Sequence, residues 1–337
     1  MRKRVMCTIL ACTMLTPVLL LTGCGSEKDG VKRLKLSINT NQSQVDMAEA
    51  MAEKIEELSN GKMAIDIYGD GQLGGDREVA ETVQYGNIDM CVVSTTPVAA
   101  FYQDLNLFDA PFLFSDSEQA QNILDGKVGT EIATGMEEIG FKVLGFPENG
   151  FRQLSTADTE VHTPADLKGL KIRVMESEVH IATWKALGSN PTPMAFSELF
   201  TALQQKTVDG QDNPFVTDRD NRYYEVQKYI TNSNHLLYVG GMHISKITWD
   251  SLSATAQDVL WQAAEECQQI MPEYVDEANL IALEQMLRSG SELIDFDQIP
   301  GLRQLCLAST YDVAYNSISP VTGSDILNRW LDSSESP

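Results

Sequence analysis

Leu34, Leu36 and Ile38 alternate with Arg33, Lys35 and Ser37, a period of two that predicts a strand with one face on a core. From Val45 the apolar positions Ala48, Met51, Ala52, Ile55 and Leu58 recur at helical spacing and stop at Gly61. Met63, Ile65 and Ile67 predict a second strand. A glycine loop covers 69–75, a helix 76–84, and a third strand runs from Ile88 to Val93 and ends at Ser94-Thr95. This β-α-β-α-β order implies a mostly parallel sheet whose ligand side lies at the carboxyl ends of its strands, so Asn39 and Thr95 are candidate cleft residues.

Further along, the pattern predicts helices at 117–124 and 128–138 and a strand at 141–146, after which Asn149-Gly150-Phe151-Arg152 leads towards a second domain. Thr163 to Gly169 reads as a capped turn with Pro at its first position. Leu170, Ile172 and Val174 then place one face of a short strand in a core, which turns Arg173 to the other face. Trp184 belongs to a helix ended by Gly188, Ser197 is expected to cap a helix carrying Phe200 and Leu203, and 208–213 forms a strand and turn. Arg219, Arg222, Tyr223, Tyr224 and Lys228 are expected to make a solvated face, and 236–242 a strand returning to the first domain. From a cap at Ser253, apolar residues keep helical spacing to Leu287, about 50 Å of helix with Pro272 expected to bend it. That length exceeds one small domain. Residues 301–330 read as more helix.

Composition narrows the function. The 337 residues can bury two cores, and 25 basic against 48 acidic residues give a net charge of -23, which excludes a role on nucleic acid. Arg2, Lys3 and Arg4 followed by an apolar run to Leu21 form an export signal, and Leu21-Thr22-Gly23-Cys24 is similar to a bacterial lipobox in which Cys24 is lipidated. Residues 1–23 are therefore expected to be removed, 24–30 to form a tether, and the protein to be extracytoplasmic. Cys91, Cys267 and Cys306, an odd set in apolar contexts, read as small buried hydrophobes with no disulfide framework.

Gly69-Asp70-Gly71-Gln72-Leu73-Gly74 matches a dinucleotide fingerprint, yet export, the late helix start after Gly75 and the position of Asp89 at the start of its strand all count against that cofactor. No hydrolase, zinc-protease or nucleotide-loop motif occurs, and His162, His180, His235 and His243 show no ligand spacing. No cofactor or metal is expected. An arginine fork at a strand end suits a carboxylate, and in a strongly negative protein such a ligand must be held by local cations. From spacing alone, Arg173 could equally pair with a neighbouring surface acid.

Four segments in order, Gly71 to Glu78, Leu167 to Val174, Pro191 to Phe196 and Val208 to Pro214, resemble the extracytoplasmic solute-binding proteins of TRAP transporters, the DctP family. The resemblance implies a two-lobed α/β fold of the periplasmic-binding-protein kind, with a ligand cleft between lobes and a long helix spanning both. It divides the chain into 31–149 plus 237–280 and 150–236 plus 281–331, with 332–337 as a frayed tail. It implies capture of a small organic acid by a monomer and delivery to small and large membrane permease subunits. It assigns Arg173 to the ligand carboxylate, Asn213 and Phe196 to the site lining, and Arg152 to a second cationic contact. Asp212 stands where the family more often has glutamate. Glu78 and Asn149 would add an acceptor and an amide, which favours a hexuronate or aldonate over a C4-dicarboxylate or keto acid. A secreted enzyme acting on organic acids is the reading from another class.

Overall fold

A computed structural model describes residues 30–39 and 41–295. The lipobox cysteine, Cys306 and the expected helix over 301–330 lie outside the described residues. The elements in chain order are β1 (Lys32–Ile38), α1 (Gln42–Leu58), β2 (Met63–Tyr68), α2 (Asp76–Gln84), β3 (Met90–Ser94), α3 (Thr95–Val98), α4 (Ser117–Leu124), α5 (Lys127–Glu138), β4 (Phe141–Gly145) and β5 (Glu148–Thr156). There follow β6 (Lys171–Val174), α6 (Glu178–Ala186), β7 (Asn190–Pro193), α7 (Leu199–Gln204), β8 (Gly210–Asn213), α8 (Phe215–Asp220), β9 (Tyr229–Ser245), α9 (Lys246–Ser251), α10 (Ala254–Arg288) and β10 (Glu292–Ile294).

The strands join in the order β2-β1-β3-β9-β5-β8-β6-β7. β1 pairs in parallel with β2 and β3, and β6 in parallel with β7 and β8, so each end of the sheet has the predicted parallel character. The centre is antiparallel. β9 continues for 17 residues, pairing with β5 from Tyr229 to Val239 and with β3 from Gly240 to Ile244. This strand starts earlier than its apolar run, because Tyr229 to Asn234 carries polar residues that hydrogen-bond within the sheet. It is the member both halves share. Between Glu148 and Phe151 the β5 ladder shifts register, and Gly150 takes φ +90 where a Cβ would lie 2.5 Å from the Asn279 amide.

Apolar packing follows the two halves. Leu34, Leu36, Met51, Ile55, Leu260 and Val275 lie on one side of the first half, with Val79, Val83, Phe108 and Phe141 on the other. Leu154, Ile172, Val174 and Trp184 form a core in the second half, beside a smaller one of Leu199, Leu203 and Tyr223. Phe112 packs in the second-half core and Val179 joins the first-half core, so the halves interlock. α10 is one helix of 35 residues capped by the Ser253 hydroxyl, with Pro272 inside it. Its Val259, Leu260, Ala263, Cys267, Met271 and Val275 face the first half, and Asn279 reaches both Val216 of α8 and Asn149 of β5. Cys91 and Cys267 are buried and free. Asp89 of the apparent dinucleotide motif is a staple: its two oxygens accept from the Lys35 amide and the Thr248 hydroxyl, each at 2.9 Å.

Two expectations need correction. Ser197 caps nothing, since it lies inside a short 3-10 turn from Phe196 to Glu198 and α7 begins at Leu199. The supposed solvated face holds Tyr223, which is 1% exposed because the turn Tyr223–Glu225 rolls its ring against Phe196 and Phe200.

Glu148, where β5 leaves the first half, is buried, and its Oε2 accepts from the Gly150 amide at 2.5 Å. Burial raises its pKa to about 7, with the Asp276 charge adding to the rise. A carboxyl held above its unfolded value stabilises the native state while protonated and loses that contribution as pH rises through the folded pKa. The Glu148 contribution is expected to be lost between about pH 5 and pH 8, so the urea midpoint of wild type should fall relative to that of Glu148→Gln over that window.

Candidate functional site

Ile172 and Val174 anchor β6 in the second-half core, and strand alternation sends Arg173 the other way. The residue is nonetheless 2% exposed. Its Nη2 and Nε donate to the Met194 carbonyl, just past β7, at 2.9 and 3.2 Å. Nη1 has no partner. Among the described residues Arg173 forms no salt bridge, which disposes of the surface ion pair that spacing alone allowed.

Arg152 on β5 is fully buried, and its Nε donates to Asp212 Oδ2 at 2.8 Å while Nη2 donates to the Asp212 backbone carbonyl. Its Nη1 is also unpartnered. Asp212 Oδ2 lies 3.0 Å from His235 Nε2, and His235 Nδ1 lies 2.8 Å from the Ser233 hydroxyl. Burial opposes ionisation of Asp212, but the Arg152 charge and the His235 hydrogen bond outweigh it and hold the carboxyl well below its usual range. Burial lowers the His235 pKa against the pull of Asp212, so the ring is neutral, donating through Nε2 and accepting from Ser233.

Asp212 is thus bound by Arg152, while Arg173 feels the charges of Arg152, Asp212 and Asp76 without an ion-pair contact. Burial, followed by the charge of Arg152, pulls the Arg173 pKa down to about 10. Each guanidinium keeps a buried Nη1 with no protein partner, a donor that a carboxylate oxygen could satisfy.

Asn213 is buried and donates through Nδ2 to Gln211 Oε1 at 2.5 Å. Gln211 donates in turn to Ser155 and Asp218, at 2.7 and 2.9 Å. Phe196 is half-buried, its ring 6.3 Å from that of Tyr223. Arg152, Arg173, Asn213 and Phe196 therefore lie on adjoining strands and turns of the second half.

On the first half the predicted side chains have protein partners. Asn39 holds the glycine loop, donating to the Gly74 carbonyl at 2.7 Å and accepting from the Gly71 amide at 3.1 Å. Thr95 donates to the Val239 carbonyl at 2.9 Å. Glu78 is exposed and accepts from the Gly75 amide at 3.1 Å, capping its own helix. Asn149, by contrast, is fully buried with both amide atoms unpartnered.

Asp76 is the acidic group that sequence reading passed over. Taken only as a helix start, it hydrogen-bonds Asn39 and the Ser94 amide and interacts with Arg173 across the halves. Burial raises its pKa to about 6. Its place in the quoted glycine motif, two residues before Glu78, was the available signal. Gln211 had the same kind of signal, lying in the quoted segment Val208 to Pro214, whereas Tyr223 and His235 had none, since their roles arise from partners distant in sequence. The halves meet around these groups: Ser94 Oγ lies 3.8 Å from Met175 Sδ, and Ser177 donates to Asp109 at 3.1 Å.

The two packed halves are joined by the crossing strands β5 and β9. Residues 36–300 match the family described as bacterial extracellular solute-binding protein, family 7. The chain belongs to that DctP family of TRAP solute-binding proteins. It is 34% identical over 268 residues to the 2,3-diketo-L-gulonate-binding periplasmic protein YiaO of Escherichia coli, covering 79% of this chain and 82% of that protein. It is 35% identical over 239 residues to the C4-dicarboxylate-binding periplasmic protein DctP of Rhodobacter capsulatus, covering 71% and 69%. The crystal structure of the sugar acid binding protein DctPAm of Advenella mimigardefordensis with galactonate superposes with a TM-score of 0.86 at 31% identity, covering 90% of this chain and 97% of that one. Among the described residues no helix is long and apolar enough to cross a membrane.

Replacing Asp212 by asparagine leaves the Arg152 charge buried without its counter-ion, a change that costs about 3–5 kcal/mol. Urea denaturation of Asp212→Asn should show a loss of that order.

Proposed function

We propose that this protein captures a monocarboxylate sugar acid, a hexuronate or aldonate, outside the cytoplasm and delivers it by lobe closure to a TRAP permease of small and large membrane subunits. The observation that carries this reading is the pair of unpartnered Nη1 groups on buried Arg152 and Arg173. They form a ready site for one carboxylate, with Asn213 and Phe196 beside it. The names of the Escherichia coli and Advenella proteins support a sugar acid.

The Rhodobacter relative favours a second reading, a C4-dicarboxylate. Asp76 opposes it, because an acidic side chain in the field of Arg173 suits a ligand hydroxyl and repels a second carboxylate. Asn39 and Thr95 then act by shaping the first-half wall, and Glu78 by holding the loop that carries Asp76. An enzyme acting on such acids would alter its ligand, whereas a binding protein returns it unchanged.

Arg173→Ala should lose most affinity in calorimetry, and Arg173→Lys nearly as much, since an ammonium cannot reproduce the fork. A thermal-shift screen of uronates, aldonates and dicarboxylates should show its largest upward shift with a six-carbon sugar acid. A larger shift with succinate would favour the dicarboxylate reading instead. We further propose that Cys24 carries the membrane anchor of a monomeric protein. Cys24→Ser should abolish incorporation of labelled palmitate in growing cells and release the protein from the membrane fraction.

A further inference from the structure

Gln44, in the first turn of α1, is fully buried, and neither Oε1 nor Nε2 has a partner. Asn149 is in the same condition, with Oδ1 and Nδ2 both unpartnered. A buried amide without a hydrogen bond is costly, and two together mark a place built to receive a polar molecule.

Their positions are linked through one rung of the crossing strands. Gly240 of β9 donates its amide to the Pro147 carbonyl at 2.7 Å. A Cβ on Gly240 would stand 3.2 Å from Gln44 Nε2 and 3.5 Å from Pro147 Cγ, so the Gln44 amide lies over Gly240 on the face it shares with Pro147. Asn149 stands two residues after Pro147, inside the stretch of β5 where the ladder shifts register, so its Cα lies no more than about 7 Å from that of Pro147. Diagonal neighbours across such a ladder are about 7–8 Å apart, within reach of one small ligand or of each other's side chains. The glycine matters here because any larger residue would fill the space over which Gln44 lies.

From Asn149 the same strand runs three residues to Arg152, about 10 Å at about 3.3 Å per residue. That is the scale of a six-carbon acid held by its carboxylate at one end and by hydroxyls at the other. An amide offers a donor and an acceptor, as a hydroxyl does. A second carboxylate could accept from the two amide NH2 groups but would leave both amide carbonyls without a donor, with no cation among these groups to balance its charge.

We propose that Gln44, together with Asn149, is a specificity-determining residue that hydrogen-bonds the distal hydroxyls of a six-carbon sugar acid and disfavours dicarboxylates. This rests on the sugar-acid reading above. The test is calorimetry on the full mature chain with D-galactonate, D-glucuronate, D-erythronate and succinate, comparing wild type with Gln44→Met, which keeps length and loses both polar atoms. The affinity for the preferred six-carbon acid should fall about tenfold or more, while affinity for four-carbon erythronate stays within about twofold. The ligand-free thermal midpoint should hold or rise, because an unpartnered buried amide has been removed. Asn149→Leu should give the same selectivity change. Unchanged six-carbon affinity, a parallel loss for erythronate, or a lowered ligand-free midpoint, the sign of an amide holding structural water, would each overturn the proposal. If Arg173→Lys abolishes binding while Gln44→Met does not weaken it, the hydroxyl subsite falls and carboxylate capture stands. If wild type binds none of the acids, the sugar-acid reading falls as well.

Discussion

Two guanidiniums buried beside one carboxylate set the terms for the rest of the molecule. Neither arginine can be hydrated in place, so their surroundings must supply oxygens: Asp212 for Arg152, and the Met194 carbonyl for Arg173. His235 and Ser233 then fix the Asp212 carboxylate, and Trp184 packs edge-on against His235 with ring centroids 5.1 Å apart. What these partners leave over is two donors, one Nη1 on each arginine. A protein with a net charge of -23 would hold an anion only where local cations outweigh its overall field.

The crossing strands give that charge a cleft. β9 belongs to both halves, β5 runs beside it with a bulge at Gly150, and α10 ties them together through Asn279. Strands that pass uninterrupted between two packed halves permit a bend only where the ladder is already irregular. The β5 ladder is irregular at two places, between Glu148 and Phe151 and between Arg152 and Leu154, so Arg152 is flanked by both.

How much of this was legible in the chain depends on the range of the interactions involved. The alternation of Leu34, Leu36 and Ile38 and the long stripe from Ser253 gave β1 and α10 within a residue or so, because periodicity reports a face that is buried locally. Arg173 could be turned away from the core by Ile172 and Val174, yet spacing left it free to be a surface ion-pair partner. The resemblance of four ordered segments, rather than any one motif, pointed to the carboxylate.

Sequence by itself determined the alternating strands and helices, the helical stripe from Ser253 to Leu287, the exclusion of nucleic-acid binding by charge, and the DctP membership. Each of these rests on neighbours in the chain or on composition. Tertiary structure decided which polar groups are spent and which are free. Asn39, Thr95 and Glu78 have protein partners, while Gln44 and Asn149 have none for their amides, and Asp76 faces Arg173 from the other half. A hydrogen-bond partner contributed by a distant strand leaves no local signature, and for that reason the strand that carries Arg173 could be read from the chain but the walls around it could not.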